Sequence, residues 1–320
     1  MVLIVSTSAD EHAAAVVRAL ERRGVPCRLL DLADFPRDAR LTVELGGEPA
    51  ARFDGRDGLI VADEFPVVWW RGRGRRLRLP PETATSPCAD FVAGEWRAAL
   101  SGLWRSLPAV WINDPGREEA AANAVAQLRA AAEVGFEIPR TLLTSDPDAA
   151  RRFVAEVGGA VSRTFIGGEP PWHEPLAADP DQLDQVRLAP VILQEAVPAR
   201  ADVQVVVMGA AIFAASAPAV TRGRPAPLEP WQLPPRLVRL VRLLVQRLDL
   251  VHAGIDLRLT PDGRHVFLRL DPSRPWRAIE EATGLALTEA FVDLLARCAA
   301  PGPRLRRRLT PPSAVGEASA

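Results

Sequence analysis

Two charges stand inside an otherwise apolar pattern late in the chain: Asp256 in Ala-Gly-Ile-Asp-Leu-Arg-Leu, and Arg269 in Val-Phe-Leu-Arg-Leu-Asp-Pro-Ser. Strand alternation puts Arg269 and Asp271 on one face of their strand, within reach of Asp256 on a neighbouring strand. Paired acids of this kind hold a hard cation such as Mg²⁺ through oxygen. An arginine between them offers another outcome, a structural Asp256–Arg269 ion pair, because a charge among apolar residues needs a partner. A second constellation lies near the front: Arg71, Arg73, Arg75, Arg76 and Arg78 alternate with Gly and Leu beside Trp69 and Trp70. An arginine–aromatic strip suits an acidic peptide, or RNA; a solvated arginine loop is the plain alternative. Other chemistry is not supported. His12, His173, His252 and His265 have no ligand spacing, Cys27, Cys88 and Cys298 form no CxxC pair, and Ser6 and Ser8 lack the Gly-x-Ser-x-Gly context of a hydrolase.

Composition narrows the classes further. The chain has 320 residues, Lys+Arg 39 against Asp+Glu 40 and a formal net charge of -1, which argues against nucleic-acid binding through bulk charge. Every one of those cations is arginine and there is no tyrosine, so any task that needs an ammonium falls to a guanidinium or is not done. Three scattered cysteines fit a reducing cytoplasm. The opening apolar run is short and has no basic flank, unlike a secretory signal. Residues 203–220 are mostly apolar but contain Gln204, Gly209, Ser216 and Pro218, and read as a buried hairpin turning at Gly209, not a membrane span.

The elements that must position these residues follow an α/β grammar. Val2–Val5, a capped helix stopping at Gly24 and a strand at Arg28–Leu32 make one βαβ unit. Short strands follow at Leu41–Leu45, Leu59–Ala62 and Val67–Trp70, then a helix over Phe91–Leu107 and a strand at Val110–Ile112. A first domain ends near Pro115. One helix is expected over Glu118–Val134, a second over Asp148–Val157, and strands at Ala160–Phe165 and Val191–Leu193. Residues 166–190 read as a mobile loop, and 218–235 as another. Arg236–Leu248 is an amphipathic helix; Ala253–Thr260 and Arg264–Leu270 form a hairpin through Pro261-Asp262-Gly263; a helix over Leu287–Cys298 precedes a tail from Pro301 read as disordered.

In this order, Trp111-Ile-Asn-Asp-Pro, the Ala120–Ala131 helix, Gly135-Phe-Glu-Ile-Pro-Arg-Thr, Ala160-Val-Ser-Arg-Thr-Phe, Leu193-Gln-Glu-Ala-Val, Ala201-Asp-Val-Gln-Val-Val-Val-Met-Gly, Gly254-Ile-Asp-Leu and Phe267-Leu-Arg-Leu-Asp-Pro-Ser-Arg-Pro-Trp resemble an ATP-grasp ligase. The similarity is to the ATP-grasp peptide maturases of microviridin-type graspetides, and it extends to the front-domain run Val67-Val-Trp-Trp-Arg. It implies a pre-ATP-grasp α/β domain over 1–115, an ATP-grasp two-lobe module over 116–300 and a disordered tail over 301–320. It also implies ATP and Mg²⁺ as family cofactors and an acidic ribosomal precursor peptide as partner. A paralogous ligase or a second copy of the chain are further partners it suggests, with no membrane and no nucleic acid.

The resemblance also assigns site positions. Such ligases join a carboxylate to an amine or hydroxyl through an acyl-phosphate, so cations must neutralise the phosphates as two anions meet. Where relatives have two lysines this chain has Ala124 and Arg163, and where they have an arginine it has Gln204. Arg269 stands at the position of a metal-binding glutamate and Asp271 at that of an asparagine, while Asp256 matches. Arg163 and Arg269 are thus the candidate catalytic groups, Asp256 and Asp271 the candidate metal ligands. Gln194, Glu195 and Val197, with Arg163, are the candidate nucleotide contacts, and Trp70, Arg71, Arg73, Arg75 and Arg76 the candidate peptide contacts. Lost charge at Ala124 and Gln204, and reversed charge at Arg269, imply a peptide- or partner-binding pseudoenzyme. The alternative is an active ligase with Arg163, Arg269 and Asp271 in altered roles.

Overall fold

A computed structural model describes residues 1–46, 50–72, 78–163, 183–219 and 227–300. The expected α/β grammar opens it. Strand β1 (Val2–Ser6) leads into helix α1 (Glu11–Arg22), capped by the Asp10 carboxylate, which accepts from the His12 and Ala13 N–H groups. After Gly24 at φ 66 comes β2 (Cys27–Asp31), parallel to β1. Strands β3 (Arg40–Glu44), β4 (Ala50–Gly55) and β5 (Gly58–Val61) form an antiparallel side sheet, of which β4 has no counterpart among the expected strands. Strand β6 (Val67–Trp70), the short helix α2 (Pro81–Ala84), helix α3 (Ala89–Ser106) and β7 (Val110–Ile112) complete a parallel sheet ordered β2-β1-β6-β7.

The expected helix over Glu118–Val134 is two helices, α4 (Pro115–Ala121) and α5 (Ala124–Val134). Asn123 breaks the run: its side-chain oxygen accepts from the Val125 and Ala126 N–H groups and so starts a new helix. A small sheet, ordered β8-β10-β9, joins β8 (Thr141–Thr144), β10 (Val191–Glu195) and β9 (Ala160–Arg163), with helix α6 (Pro147–Val157) packed on it. Of the loop expected over 166–190, residues 166–182 lie outside the described residues. Its end is not loose, because Leu183 and Val186 are buried around a helical turn at Gln185–Leu188. The tail from 301 and residues 220–226 likewise lie outside the described residues.

The large sheet holds β11 (Ala201–Met208), β12 (Ala211–Pro218), the two-residue β13 (Glu229–Pro230), β14 (His252–Leu259) and β15 (His265–Asp271), ordered β13-β12-β11-β14-β15. Helices α7 (Pro235–Arg247), α8 (Arg277–Thr283) and α9 (Leu287–Ala299) accompany it. Both expected hairpins form. The apolar run at 203–220 is β11 and β12, turning at Gly209 with φ 60, and no described helix is long and apolar enough to cross a membrane.

The two-residue period of this sheet decides where a site can be. Val203, Val205, Val207, Ala253, Ile255 and Leu257 point to one face and pack with Leu237, Leu240, Val241 and Leu244 of α7. The opposite face carries Gln204, Val206 and Met208, and on β14 His252, Gly254 and Asp256. At one end of that face Val206 and Met208 share a core with Trp276 and Phe291 of this lobe and Val2, Ile4, Val67 and Trp69 of the front sheet. Trp69 meets the Phe291 ring at 4.8 Å, so it is core and not exposed strip. At the other end, around Gln204 and Asp256, that cover stops.

Asn113 ties the two halves together. Its amide donates to the carbonyls of His252 and Pro272, each at 2.8 Å, and its oxygen accepts from the N–H groups of Val251 (2.7 Å) and His252 (2.9 Å). It is 2% exposed, so water cannot replace these bonds. Asn113→Ala leaves buried donors unmatched and is expected to cost about 3 kcal/mol. The measurement is urea unfolding; an unchanged midpoint would show that the staple carries no stability.

Candidate functional site

The candidate site forms where the front-domain cover ends. Register places Gln204 beside Asp256 and Asp256 beside Arg269, one row across β11, β14 and β15, with the β15 register shifting at Asp256/Leu257. The expected approach of Arg269 to Asp256 is therefore present. Arg269 Nε donates to Asp256 Oδ2 at 2.5 Å, and from the turn after β15 Arg274 Nη2 sits 2.5 Å from Oδ1. Burial alone would push the Asp256 carboxyl up. The charges and hydrogen bonds of Arg274 and Arg269 outweigh it and hold the carboxyl below the usual range.

Arg274 was not among the candidate site residues. Its side chain crosses the backbone of β14 at Gly254, where a Cβ would lie 2.4 Å from Arg274 Cγ. Its carbonyl lies 3.2 Å from His252 Nε2, and His252 Nδ1 lies 2.9 Å from the Val207 carbonyl; the neutral ring donates to one of the two. Gly254 pairs with Asp271 at the end of β15, and Arg274 folds back over it from the turn beyond, a contact that only the tertiary structure reveals. Asp271, the other candidate ligand, stands at the end of β15 opposite Gly254. It caps the turn by accepting from the Ser273 N–H at 3.0 Å, and Ser273 in turn donates to the buried Glu118 at 2.5 Å.

Arg163, at the end of β9, approaches β15 from the small sheet. It is 7% exposed and donates through Nη1 to the Leu268 carbonyl of β15 at 2.9 Å, a bond between the two lobes. Burial presses its guanidinium down to about 10, with Arg269 adding to the fall and Asp256 opposing it, so it is charged at neutral pH. The pocket is about 150 Å³ and lined by Asp202, Gln204, Asp256, Arg258, Leu268, Arg269 and Arg274. Ala124 lies at the start of α5, buried, and brings no charge to it.

Of the candidate nucleotide contacts, Gln194 and Glu195 have side chains turned onto β8. Gln194 Nε2 donates to Thr141 Oγ1 at 3.0 Å, and the Glu195 carboxylate accepts from the Arg140 N–H at 3.0 Å. The Val197 carbonyl accepts from Arg258 at 3.2 Å, and Arg258 also pairs with Asp202 at 2.9 Å. Any contact these positions make with a base is left to backbone atoms. Among the candidate peptide contacts, Arg73, Arg75 and Arg76 lie outside the described residues. Trp70 packs against Trp104 and Trp111, and Arg71 does not extend into solvent: its Nε donates to Asp10 at 2.7 Å, with both side chains nearly buried. Burial would raise the Asp10 carboxyl, but Arg71, Ser6 and the Ala13 N–H hold it well below the usual range. The exposed strip expected there is thus reduced at these two positions to packing and an ion pair.

A divalent metal does not fit this arrangement. Asp256 gives both oxygens to guanidiniums, Asp271 caps a turn, and among the described residues no three His, Cys, Asp or Glu side chains gather. A hard cation would meet Arg269 and Arg274 before it met oxygen. A larger hollow, about 470 Å³ beside Met1, Pro26 and Cys27, lies at the N-terminal ends of β1 and β2, away from the strand ends where α/β sheets bind ligands.

Comparisons with known proteins agree with this frame. Residues 1–119 match the family model of the MvdD pre-ATP grasp domain. The macrocyclase MdnB from Microcystis aeruginosa MRC superposes with a TM-score of 0.79 at 27% identity, over 92% of this chain and 98% of its own. Its counterpart MdnC, solved with precursor peptide MdnA from the same organism, gives 0.82 at 23% identity, over 92% and 99%. A RiPP-associated ATP-grasp ligase of Chryseobacterium gregarium, solved with ADP and a leader and core peptide, gives 0.84 at 17%, over 93% and 97%. No curated protein matches the sequence.

The buried His252 gives the site a pH signature. Burial lowers its imidazole from 6.5 to about 4, although the Val207 and Arg274 carbonyls favour the charged form. Between those values the unfolded chain binds a proton that the folded chain refuses, so stability is full above pH 6.5 and falls as pH drops toward 4, by about 3 kcal/mol in all. Urea unfolding at pH 7.5 and pH 5 is expected to show a smaller acid loss in His252→Gln than in the parent; equal losses would refute the assignment.

Proposed function

We propose that this chain, which belongs to the graspetide-type ATP-grasp peptide maturases and has their pre-ATP-grasp domain and two-lobed ATP-grasp fold, serves ribosomal-peptide modification by binding a peptide or a partner ligase without turning over Mg²⁺-bound ATP. The observation that carries the second half is the Asp256 carboxylate clamped by Arg269 and Arg274. An acyl-phosphate forms only where a carboxylate is brought up to a phosphate whose charge is neutralised, and the family's acid–metal set is the usual means. Here the acid that matches that set is already neutralised by the protein itself.

A precursor peptide is the partner this reading favours. MdnC and the Chryseobacterium ligase were solved with peptides, and this chain spans their full length. An acidic peptide suits the arginine cluster Arg71, Arg73, Arg75, Arg76 and Arg78, with the segment 73–76 as the proposed contact beside the packed Trp70 and Arg71. The division near residue 115, the nucleotide-hinge role of Gln194, Glu195 and Val197, and a cytoplasmic setting belong to the same proposal. A rival reading, an active ligase forming ester or amide cross-links, draws on Arg269 in the pocket and Arg163 bonded to the neighbouring Leu268 carbonyl, since guanidiniums also stabilise phosphoryl charge.

Calorimetric titration with an Asp/Glu-rich precursor peptide is expected to show binding, with the peptide's mass unchanged after incubation with ATP and Mg²⁺. Loss of water from the peptide, dependent on Mg²⁺, would establish the active ligase instead.

A further inference from the structure

The stretch that follows β15 and carries Arg274 is gripped from the front domain by a titratable side chain. His12, in the first turn of α1, accepts at Nε2 from the N–H groups of Trp276 (3.2 Å) and Arg277 (3.1 Å). Those two N–H groups open helix α8, where Trp276 is the cap residue and its own side chain makes no capping bond. The cap comes instead from a histidine 264 residues away in the chain. The His12 ring also meets the Trp276 indole edge-on at 5.4 Å, and His252 meets the same indole at 5.3 Å. Trp276 is fully buried in the core that the front domain shares with the large sheet. Residues 274–277 therefore lie between two histidines, one from each half of the chain.

We propose that His12 is a protonation-controlled latch: neutral, it holds the front domain to residues 274–277, and on protonation it releases them. A ring nitrogen that accepts from two N–H groups must keep its lone pair, so the proton of the neutral ring is on Nδ1, 3.9 Å from Asp10 Oδ1. A second proton, added at Nε2, would set a donor against two donors, and both bonds would be lost together. The surroundings oppose that proton more than they favour it. Burial is the largest influence, followed by the Arg71 guanidinium; Asp10 pulls the other way, Arg277 opposes the proton again and Glu11 favours it, with the net effect that the imidazole is held below 6.5. The two acids are engaged elsewhere: Asp10 accepts from Ser6, Arg71 and the cap of α1, and Glu11 pairs with Arg277 at 3.1 Å. The N–H groups at the start of α1 also disfavour a further positive charge beside them. His252, the other imidazole on Trp276, is lowered to about 4 and stays neutral while a released His12 would titrate.

The sign follows from linkage. Once released, the imidazole titrates near its ordinary value; held, it refuses the proton, so opening becomes easier as pH falls, by roughly tenfold between pH 7.5 and pH 5.5. Amide hydrogen exchange over residues 272–283 measures this, taken as protection relative to an unstructured chain so that the intrinsic effect of pH on exchange cancels. The parent is expected to lose protection by roughly tenfold between the two pH values. His12→Gln, whose side-chain oxygen still accepts but does not titrate, is expected to keep its protection constant, and His252→Gln to repeat the parent's loss. Nitrogen-15 NMR of the parent's imidazoles is a second measurement that needs no variant to fold, and His12 is expected there with its proton on Nδ1 at pH 7.5. A proton on Nε2, constant protection in the parent, an equal loss in His12→Gln, or a loss that disappears in His252→Gln instead would each overturn the proposal. Neither ATP nor peptide enters the experiment, so its failure would leave the peptide-binding reading standing.

Discussion

A carboxylate on the floor of a sheet needs counter-charge, and much of what surrounds Asp256 follows from how this chain provides it. In a low-dielectric setting an unmatched carboxylate is costly, and a metal ion is one remedy. Here two guanidiniums are the remedy, one from the facing strand and one from the turn beyond it. A tethered cation differs from a metal in that it cannot leave, and it must be given room. Gly254 supplies the room, because any side chain there would overlap Arg274. His252 lies against the Arg274 carbonyl, and the Asp271, Ser273 and Glu118 chain fixes the turn. Residues that looked like separate oddities in the chain thus serve a single electrostatic requirement.

A second constraint is the outer edge of β15. Its inner side pairs with β14, and the other side would present unpaired backbone groups. Side chains and loops occupy it. Gln127 of α5 donates to the Leu270 carbonyl and accepts from the Leu270 N–H, the Glu137 carbonyl accepts from Phe267, and Arg163 donates to Leu268. Because these partners come from a helix, a linker and the small sheet, closing this edge also sets how the lobes stand around the pocket. On the far end the shared core of Trp69, Trp276 and Phe291, with Asn113 across the seam, holds the front domain to the same sheet. The pocket is the stretch between these two closures.

This arrangement separates fold from chemistry. The chain keeps nearly the whole architecture of MdnC and the Chryseobacterium ligase, both solved with peptides, at 23% and 17% identity. A fold can outlast one catalytic inventory because the core that specifies it, such as Val203 and Ile255 against α7, is on the opposite face from the residues that would do chemistry. Changes of charge on the open face would leave that core untouched.

The sequence by itself determined the α/β class, the βαβ opening, both hairpins of the large sheet and the approach of Arg269 to Asp256, because each depends on local period and turn residues. Neighbouring strands of a short hairpin have little freedom in register, so a cross-strand pair is legible from spacing. The break at Asn123, the extra strand β4 and the buried turn at Leu183 were not legible, since a capping side chain and a few apolar residues leave almost no periodic trace. Nor was the use of Arg71, Gln194 and Glu195, whose partners Asp10, Thr141 and Arg140 lie 61, 53 and 55 residues away in the chain. Only the tertiary structure decided that Arg274 joins Asp256 and that Arg163 bonds to Leu268, because that depends on which side chain lies over a glycine and which lobe meets an open strand edge. Those are contacts between distant segments, and no local pattern of residues encodes them.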